Sequence, residues 1–375
     1  MALSGFYFWH FSTVGIFIAF FSLYAKHLGL SSLEISVLAA LHPLSRVLWP
    51  PFWGGLADRS GRRDLVAAGA SIAATASFAA YFFADRFIPL FIAQLVFTFF
   101  WSTVLPLIEA TTLEQASAGR IDYGRSRMWG SIGFIIMSIS IGPVLDRMGI
   151  RFALWAILAC MSLGSVAALL APRPLGGRPR GSGSLRNFLR RPDVRLFFLV
   201  GFLCQLSHAT MYNFLSIHLS TVGFSNEAIG FLWAFGVICE VPVIRWSSAL
   251  LGRFDRMHLL TFALFVGTLR WVITALTTSY PLLLLAQGMH AITFALFHVA
   301  AVTHTFSIVP QNLRARGQTL YSALSFGAGL SLGMLLSGAF YDRVGAQACF
   351  AASALVALVA AVLSLRLHSR VSTPA

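Results

Sequence analysis

Residues 142–149 read Gly142-Pro143-Val144-Leu145-Asp146-Arg147-Met148-Gly149, and 196 residues further on the chain reads Gly338-Ala339-Phe340-Tyr341-Asp342-Arg343-Val344-Gly345. The same offset carries Ser126 onto Ser322 and Gly133 onto Gly329. Nearer the start of each half, Gly29-x-Ser31-x-x-x-Ile35 returns as Gly223-x-Ser225-x-x-x-Ile229, at an offset of 194. Two independent matches at nearly one offset describe a chain built as two related halves. An even number of passes per half keeps both copies in the same orientation, the parallel form of internal duplication.

Composition says what those passes cross. Of 375 residues, 57% are hydrophobic and 11% charged, with a mean hydropathy of +0.78. A soluble domain carries about 25% charged residues. A water-soluble fold cannot hide this much apolar surface, so lipid is the solvent. A spanning helix needs about 20 apolar residues, so the chain holds about twelve and leaves nothing for a soluble catalytic domain. The expected spans are 6–26, 31–56, 65–84, 87–112, 125–145, 151–171, 195–219, 226–250, 257–278, 281–309, 317–340 and 347–366. The expected fold is all-α: a six-helix bundle over 1–171, a linker over 172–194, and a second six-helix bundle over 195–375, related by a pseudo-two-fold axis. The seam between the halves is where a solute would sit.

The net charge of +14 belongs to topology rather than to nucleic acid. With both termini cytoplasmic, the inner loops hold 18 of the Lys and Arg residues and the outer loops 5. That asymmetry is the positive-inside rule. Lys26 is the lone lysine, a coding bias. The stretch 172–193, rich in Pro, Gly and Arg, reads as a basic cytoplasmic tether. Cys160, Cys204, Cys239 and Cys349 all lie in apolar runs, which argues against a disulfide framework or a metal centre. The first apolar run begins beside Met1 without a basic start and reads as a retained span rather than a cleaved signal.

Between the second and third spans stands Gly54-Gly55-Leu56-Ala57-Asp58-Arg59-Ser60-Gly61-Arg62-Arg63. Its glycines allow close helix approach. Asp58, with Arg59 or Arg62, reads as a gating latch made in one conformation and broken in another. This loop, the twelve-span pattern and the repeat together resemble the major facilitator superfamily. Phe6-Tyr7-Phe8, Phe20-Phe21-Ser22-Leu23-Tyr24, Pro50-Pro51-Phe52-Trp53-Gly54 and Tyr123-Gly124-Arg125-Ser126-Arg127-Met128-Trp129-Gly130-Ser131 are similar to its lactose permease and phenylpropionate permease branch. Leu313-Arg314-Ala315-Arg316-Gly317-Gln318 and Leu320-Tyr321-Ser322 look like the phenylpropionate type.

Charges inside spans are costly, about 2.5–3.5 kcal/mol each at mid-membrane, so they should face the bundle interior and pair. Glu109 with Arg127, and Glu240 with Arg270, are the expected pairs, with His290 following on the tenth span. The resemblance to lactose permease implies substrate contacts for Glu109, Arg127, Arg270 and His290, and proton handling for Glu240, Glu109 and His290. Where lactose permease has a carboxylate after its tenth-span histidine, this chain reads Ala291-Ile292-Thr293-Phe294. His298, two turns beyond His290, is a further proton-handling candidate. Trp129 could stack a substrate ring, and Trp9, Phe11, Trp101 and Tyr212 are candidate cavity residues. Arg46 reads as a packing or gating charge, Arg245 as a snorkelling topology charge. His42, His208 and His304 read as hydrogen-bonded structure.

No Gly-x-x-x-x-Gly-Lys-Ser/Thr loop is present, so transport would draw on a gradient and not on ATP. No nucleophile or metal constellation argues for an enzyme, and no cofactor or metal is expected. The reading is a monomeric symporter of the bacterial-type inner membrane whose partners are lipid, protons and a small solute. An aromatic carboxylate leads. Sugar or nucleoside symport, proton-driven efflux of hydrophobic compounds, and a transport-inactive membrane sensor are the alternatives.

Overall fold

Helix ends fall where capping chemistry puts them. Ser31 and Glu34 form a reciprocal capping box: the Glu34 amide donates to Ser31 Oγ at 3.3 Å, and the Ser31 amide to Glu34 Oε2 at 2.8 Å. Asp122 Oδ1 accepts from the Arg125 amide at 2.6 Å and starts helix Tyr123–Met148. Asp255 caps helix Arg256–Leu276 in the same way, accepting from the Met257 amide at 2.8 Å. The computed structural model describes residues 1–175 and 186–371, and these are almost entirely helical. The middle of the expected linker, 176–185, lies outside the described residues.

Ten helices among the described residues are long and apolar enough to cross a bilayer. The differences from the expected spans have local causes. The segment expected as 31–56 is two helices, Ser32–Leu48 and Pro50–Ser60. Pro50 and Pro51 lack the amide hydrogens a continuous helix needs, so the ladder restarts there. The segments expected as 317–340 and 347–366 run on through Leu330–Val371, broken at Gly345, whose φ of +79° no helix contains. The expected span 281–309 comprises Tyr280–Gly288, a π-helical stretch Ala291–Leu296, and Phe297–Ile308. A second π-helical stretch covers Ala323–Gly329. Such widened turns gather at functional sites.

The sequence repeat is a conformational repeat. Gly149 and Gly345 have φ of +82° and +79°, and Gly29 and Gly223 have +82° and +96°. Left-handed backbone disfavours any residue with a Cβ, which accounts for glycine at all four matched positions. The helix crossings repeat too. A Cβ on Gly133 would run into the Phe8 carbonyl oxygen, and one on Gly329 would meet the Phe202 carbonyl oxygen at 2.6 Å. Phe8 and Phe202 are themselves 194 residues apart.

The chain divides into two compact units, one gathering residues 1–178 and 216–234, the other 179–215 and 235–375. The first has a core of Leu3, Phe6, Trp53, Val104, Leu107 and Ile108. Ser165 shares its hydroxyl with Ser71 and Thr75, each at 2.9 Å, which satisfies polar groups inside apolar helices. In this unit the Asp146 carboxylate caps helix Asn226–Arg245: it accepts from the Asn226 amide at 2.9 Å, Asn226 Nδ2 at 2.8 Å and the Glu227 amide at 3.1 Å. The second unit is built on Phe197, Leu260, Leu264, Phe297, Ala300 and Tyr321. Outward-facing side chains such as Leu276 and Leu170, 82% and 69% exposed, suit contact with acyl chains.

Candidate functional site

The charges within the spans form two clusters, one in each unit. In the first, helix Phe87–Ser117 carries Pro106 one turn before Glu109, which loosens the backbone at that point. Glu109 Oε1 accepts a hydrogen bond from the Tyr123 hydroxyl at 2.7 Å. The Tyr7 hydroxyl donates to Thr112 Oγ1 at 3.3 Å. Arg127 lies with its guanidinium carbon 4.0 Å from the Phe11 ring centroid and 5.6 Å from that of Tyr7. The expected direct pair of Glu109 with Arg127 is not formed. Among the described residues Arg127 makes no hydrogen bond or ion pair, and its side chain is partly exposed. The aromatic ring takes the place of a counter-ion. His10 is buried and stacks flat on Trp101, with centroids 4.3 Å apart and planes 7° apart. Trp129, next but one to Arg127 in sequence, meets Phe8 edge-on at 6.3 Å between centroids and is otherwise exposed.

In the second unit Arg270, on helix Arg256–Leu276, is 1% exposed. Its Nη1 donates to His290 Nδ1 at 2.9 Å and to Thr293 Oγ1 at 3.0 Å. Its Nη2 donates to Gln287 Oε1 at 2.8 Å and to Met211 Sδ at 2.9 Å. The guanidinium carbon lies 4.3 Å from the ring centroid of Trp271. His290 Nε2 stands 3.0 Å from Glu240 Oε1. The expected contact between Glu240 and Arg270 therefore runs through the imidazole.

Chemistry assigns the tautomer. A guanidinium only donates, so His290 Nδ1 accepts, and its proton sits on Nε2 and is donated to Glu240. A proton arriving at Glu240 finds a donor already facing it. With the proton on Oε2, Oε1 still accepts from His290 Nε2, but as a neutral and weaker acceptor, which loosens the tie between Glu240 and the His290–Arg270 pair. His298 joins this cluster through a ring: His290 and Phe294 stack at 5.0 Å, Phe294 and His298 at 6.2 Å, along the π-helical turn. His208 donates Nδ1–H to the Cys204 carbonyl at 2.8 Å and faces Trp271 edge-on.

The loop residues belong to the first unit. Asp58 and Arg59 end helix Pro50–Ser60 and are exposed. Arg62 pairs with Asp64 at 3.1 Å, and Arg63 with Glu114 at 2.5 Å. Arg46 lies exposed in the last turn of helix Ser32–Leu48.

The MFS_1 like family model matches residues 1–352. The chain is 31% identical over 371 residues to the probable 3-phenylpropionic acid transporter of Escherichia coli K12, covering 95% of each chain. The chain belongs to this major facilitator family. It is also 22% identical to the maltose permease of Geobacillus stearothermophilus, covering 98% of this chain and 94% of the permease. An alanine-substituted variant of the nucleoside transporter NupG has the same fold, with a TM-score of 0.87, 18% identity and 98% of each chain covered. The fold is thus the all-α major facilitator fold, and the chain is an integral membrane protein of a transporter family.

Within this facilitator the residues that hold the charges in place were not all legible beforehand. Tyr123 stands four residues before Arg127, so it shares that helix face, and its spacing was a usable signal for the Glu109 contact. Gln287 and Thr293 flank His290 at three residues on either side. Met211 reaches Arg270 from helix Pro192–Thr221, and no local pattern announces it.

Proposed function

We propose that this facilitator imports a small organic anion, an aromatic carboxylate of the phenylpropionate type, together with a proton by alternating access. The membrane is the bacterial-type inner membrane, crossed twelve times with both termini cytoplasmic, and the working unit is a monomer. One observation carries the reading: Arg127 presents a guanidinium whose face rests on Phe11 and whose N–H edge is uncommitted. A planar cation with free donors matches a carboxylate, which accepts two parallel bonds from it. The phenylpropionic acid relative supports the same class. Arg270 has all four Nη hydrogens committed. Its proposed part is the fixed cation against which Glu240 and His290 exchange a proton. Asp58 with Arg59 and Arg62, and Arg46, are proposed to act in gating. A second reading, sugar or nucleoside symport, draws on the Glu109–Tyr123 pair, which can bond hydroxyl groups.

Gradients separate these readings in proteoliposomes. A carboxylate with one proton moves no net charge. A pH difference of one unit then supports about tenfold accumulation, and a membrane potential adds nothing. A neutral sugar with one proton carries one charge. A potential of about 100 mV is worth about 2.3 kcal/mol, or roughly 50-fold accumulation. 3-Phenylpropionate accumulating under a pH gradient, with no response to potential, is the expected result. Accumulation of maltose or a nucleoside under potential, with no uptake of the acid, overturns the carboxylate reading.

A further inference from the structure

Gly130 stands one turn beyond Arg127 on helix Tyr123–Met148. A Cβ there would lie 2.7 Å from Phe11 Cδ2 and 2.8 Å from Arg127 Nη1. The ring and the guanidinium thus close over the glycine with no room for a methyl group between them. The helix crossing sets this up. A Cβ on Gly133 would strike the Phe8 carbonyl, and one on Gly15 would lie 2.8 Å from Ser138 Oγ, so helix Ala2–His27 runs almost in backbone contact with helix Tyr123–Met148. The crossing brings the backbone of Phe11 close to the helix that carries Arg127, and from there its ring reaches the guanidinium.

A long arginine side chain without a partner loses rotamer freedom when a ligand fixes it. A cation resting on an aromatic face has part of that order already imposed, and its donor edge stays open. The ring also avoids the drawback of a carboxylate partner, which would compete with the substrate for the same donors.

We infer that Phe11 and Gly130 are positioning residues that make Arg127 a preformed carboxylate receptor and so set the preference for anionic over neutral substrates. The inference rests on the carboxylate reading above. Phe11 holds the face, Gly130 leaves the space, and the substrate carboxylate takes the edge.

Proteoliposomes carrying wild type, Phe11→Leu, Phe11→Tyr, Gly130→Ala and Arg127→Gln test this. Two quantities are read: the half-saturation concentration for 3-phenylpropionate uptake, and the inhibition constant of its neutral amide. Phe11→Leu should raise the first about three- to tenfold, the range of a cation–π contact, with little change in maximal rate or in the amide constant. Phe11→Tyr keeps the ring face and should restore wild-type values. Gly130→Ala should act like Phe11→Leu, and its melting temperature reports whether the added methyl disturbs folding. Equal shifts for acid and amide in Phe11→Leu would mean that the ring only fills space, and would overturn the inference. So would an unchanged half-saturation in Phe11→Leu while Arg127→Gln abolishes the preference for acid over amide, a result that leaves the carboxylate reading intact. If Arg127→Gln binds the acid like wild type, the carboxylate reading and the inference fall together.

Discussion

Replacing Glu240 by glutamine isolates the proton from the packing. Glutamine keeps the size of the side chain and an Oε1 that accepts from His290 Nε2, now 3.0 Å away. What changes is charge. A hydrogen bond to a charged acceptor is worth about 1.5–3 kcal/mol and a neutral one about 0.5–1.5 kcal/mol. The substitution should therefore cost about 1 kcal/mol of stability. Alanine instead leaves the His290 donor without its acceptor, at about 1–3 kcal/mol. The transport consequence is far larger than either figure. With no titratable group at position 240, the imidazole keeps its proton on Nε2 and its bond to Arg270, and nothing ties solute movement to a proton. In proteoliposomes with a pH gradient of one unit, wild type should approach about tenfold accumulation of 3-phenylpropionate, and Glu240→Gln should stop at equilibrium. Exchange of labelled for unlabelled acid at equal concentrations should survive in the variant, since it needs no net proton transfer. Tenfold accumulation by Glu240→Gln would remove Glu240 from the coupling and refute the relay.

Four further outcomes follow from the geometry. Gly133→Ala and Gly329→Ala, each driving a methyl into a facing carbonyl oxygen, should lower stability by about 1–3 kcal/mol and depress the melting temperature in detergent; Gly54→Ala, with nothing within 4 Å of the new atom, should not. Asp146→Ala removes the acceptor of three hydrogen bonds at the start of helix Asn226–Arg245 and should cost about 1–2 kcal/mol, seen as faster maleimide labelling of a cysteine placed at the buried Ser138. Glu114→Gln weakens the contact to Arg63 and the bond from the Leu175 amide at 3.1 Å, so a cysteine placed at Leu175 should react with maleimide faster than in the background that keeps Glu114. Arg270→Lys leaves at most three donors for four acceptors and should reduce coupled uptake more than it reduces exchange.

What was legible in the sequence follows from how locally each feature is determined. The repeat was readable because left-handed backbone at Gly29, Gly149, Gly223 and Gly345 demands glycine whatever surrounds it. Hydropathy places the helices, but it registers nothing of the amide that Pro50 and Pro51 lack, so one expected span was in fact two helices. The widened turn at Ala291–Leu296 has no compositional mark, yet it sets the column His290, Phe294, His298. Residue types at the candidate site were readable from the cost of charge in lipid. Their partners were not. Whether Glu240 reaches Arg270 directly or through His290 depends on a few ångströms of helix placement that no spacing encodes.

The two arginines show how much turns on that placement. Both stand in apolar helices, and both looked like one half of a carboxylate pair. Arg270 has all four Nη donors committed, to an imidazole, a hydroxyl, an amide oxygen and a thioether, with an indole beneath, and only its buried Nε lacks a partner. Bringing a substrate carboxylate to its Nη donors would require breaking bonds made in a site from which water is excluded. Arg127 has the opposite arrangement, its charge stabilised by a ring that uses none of its hydrogens. A buried cation whose Nη donors are all bonded to protein is suited to holding a proton relay in register, because its position does not depend on what is bound. A cation stabilised through its face is suited to binding, because occupation of its edge costs it no existing bond. In the proposed reading the same residue type would serve coupling in one unit and recognition in the other, and the difference would lie in which part of the guanidinium each fold leaves open.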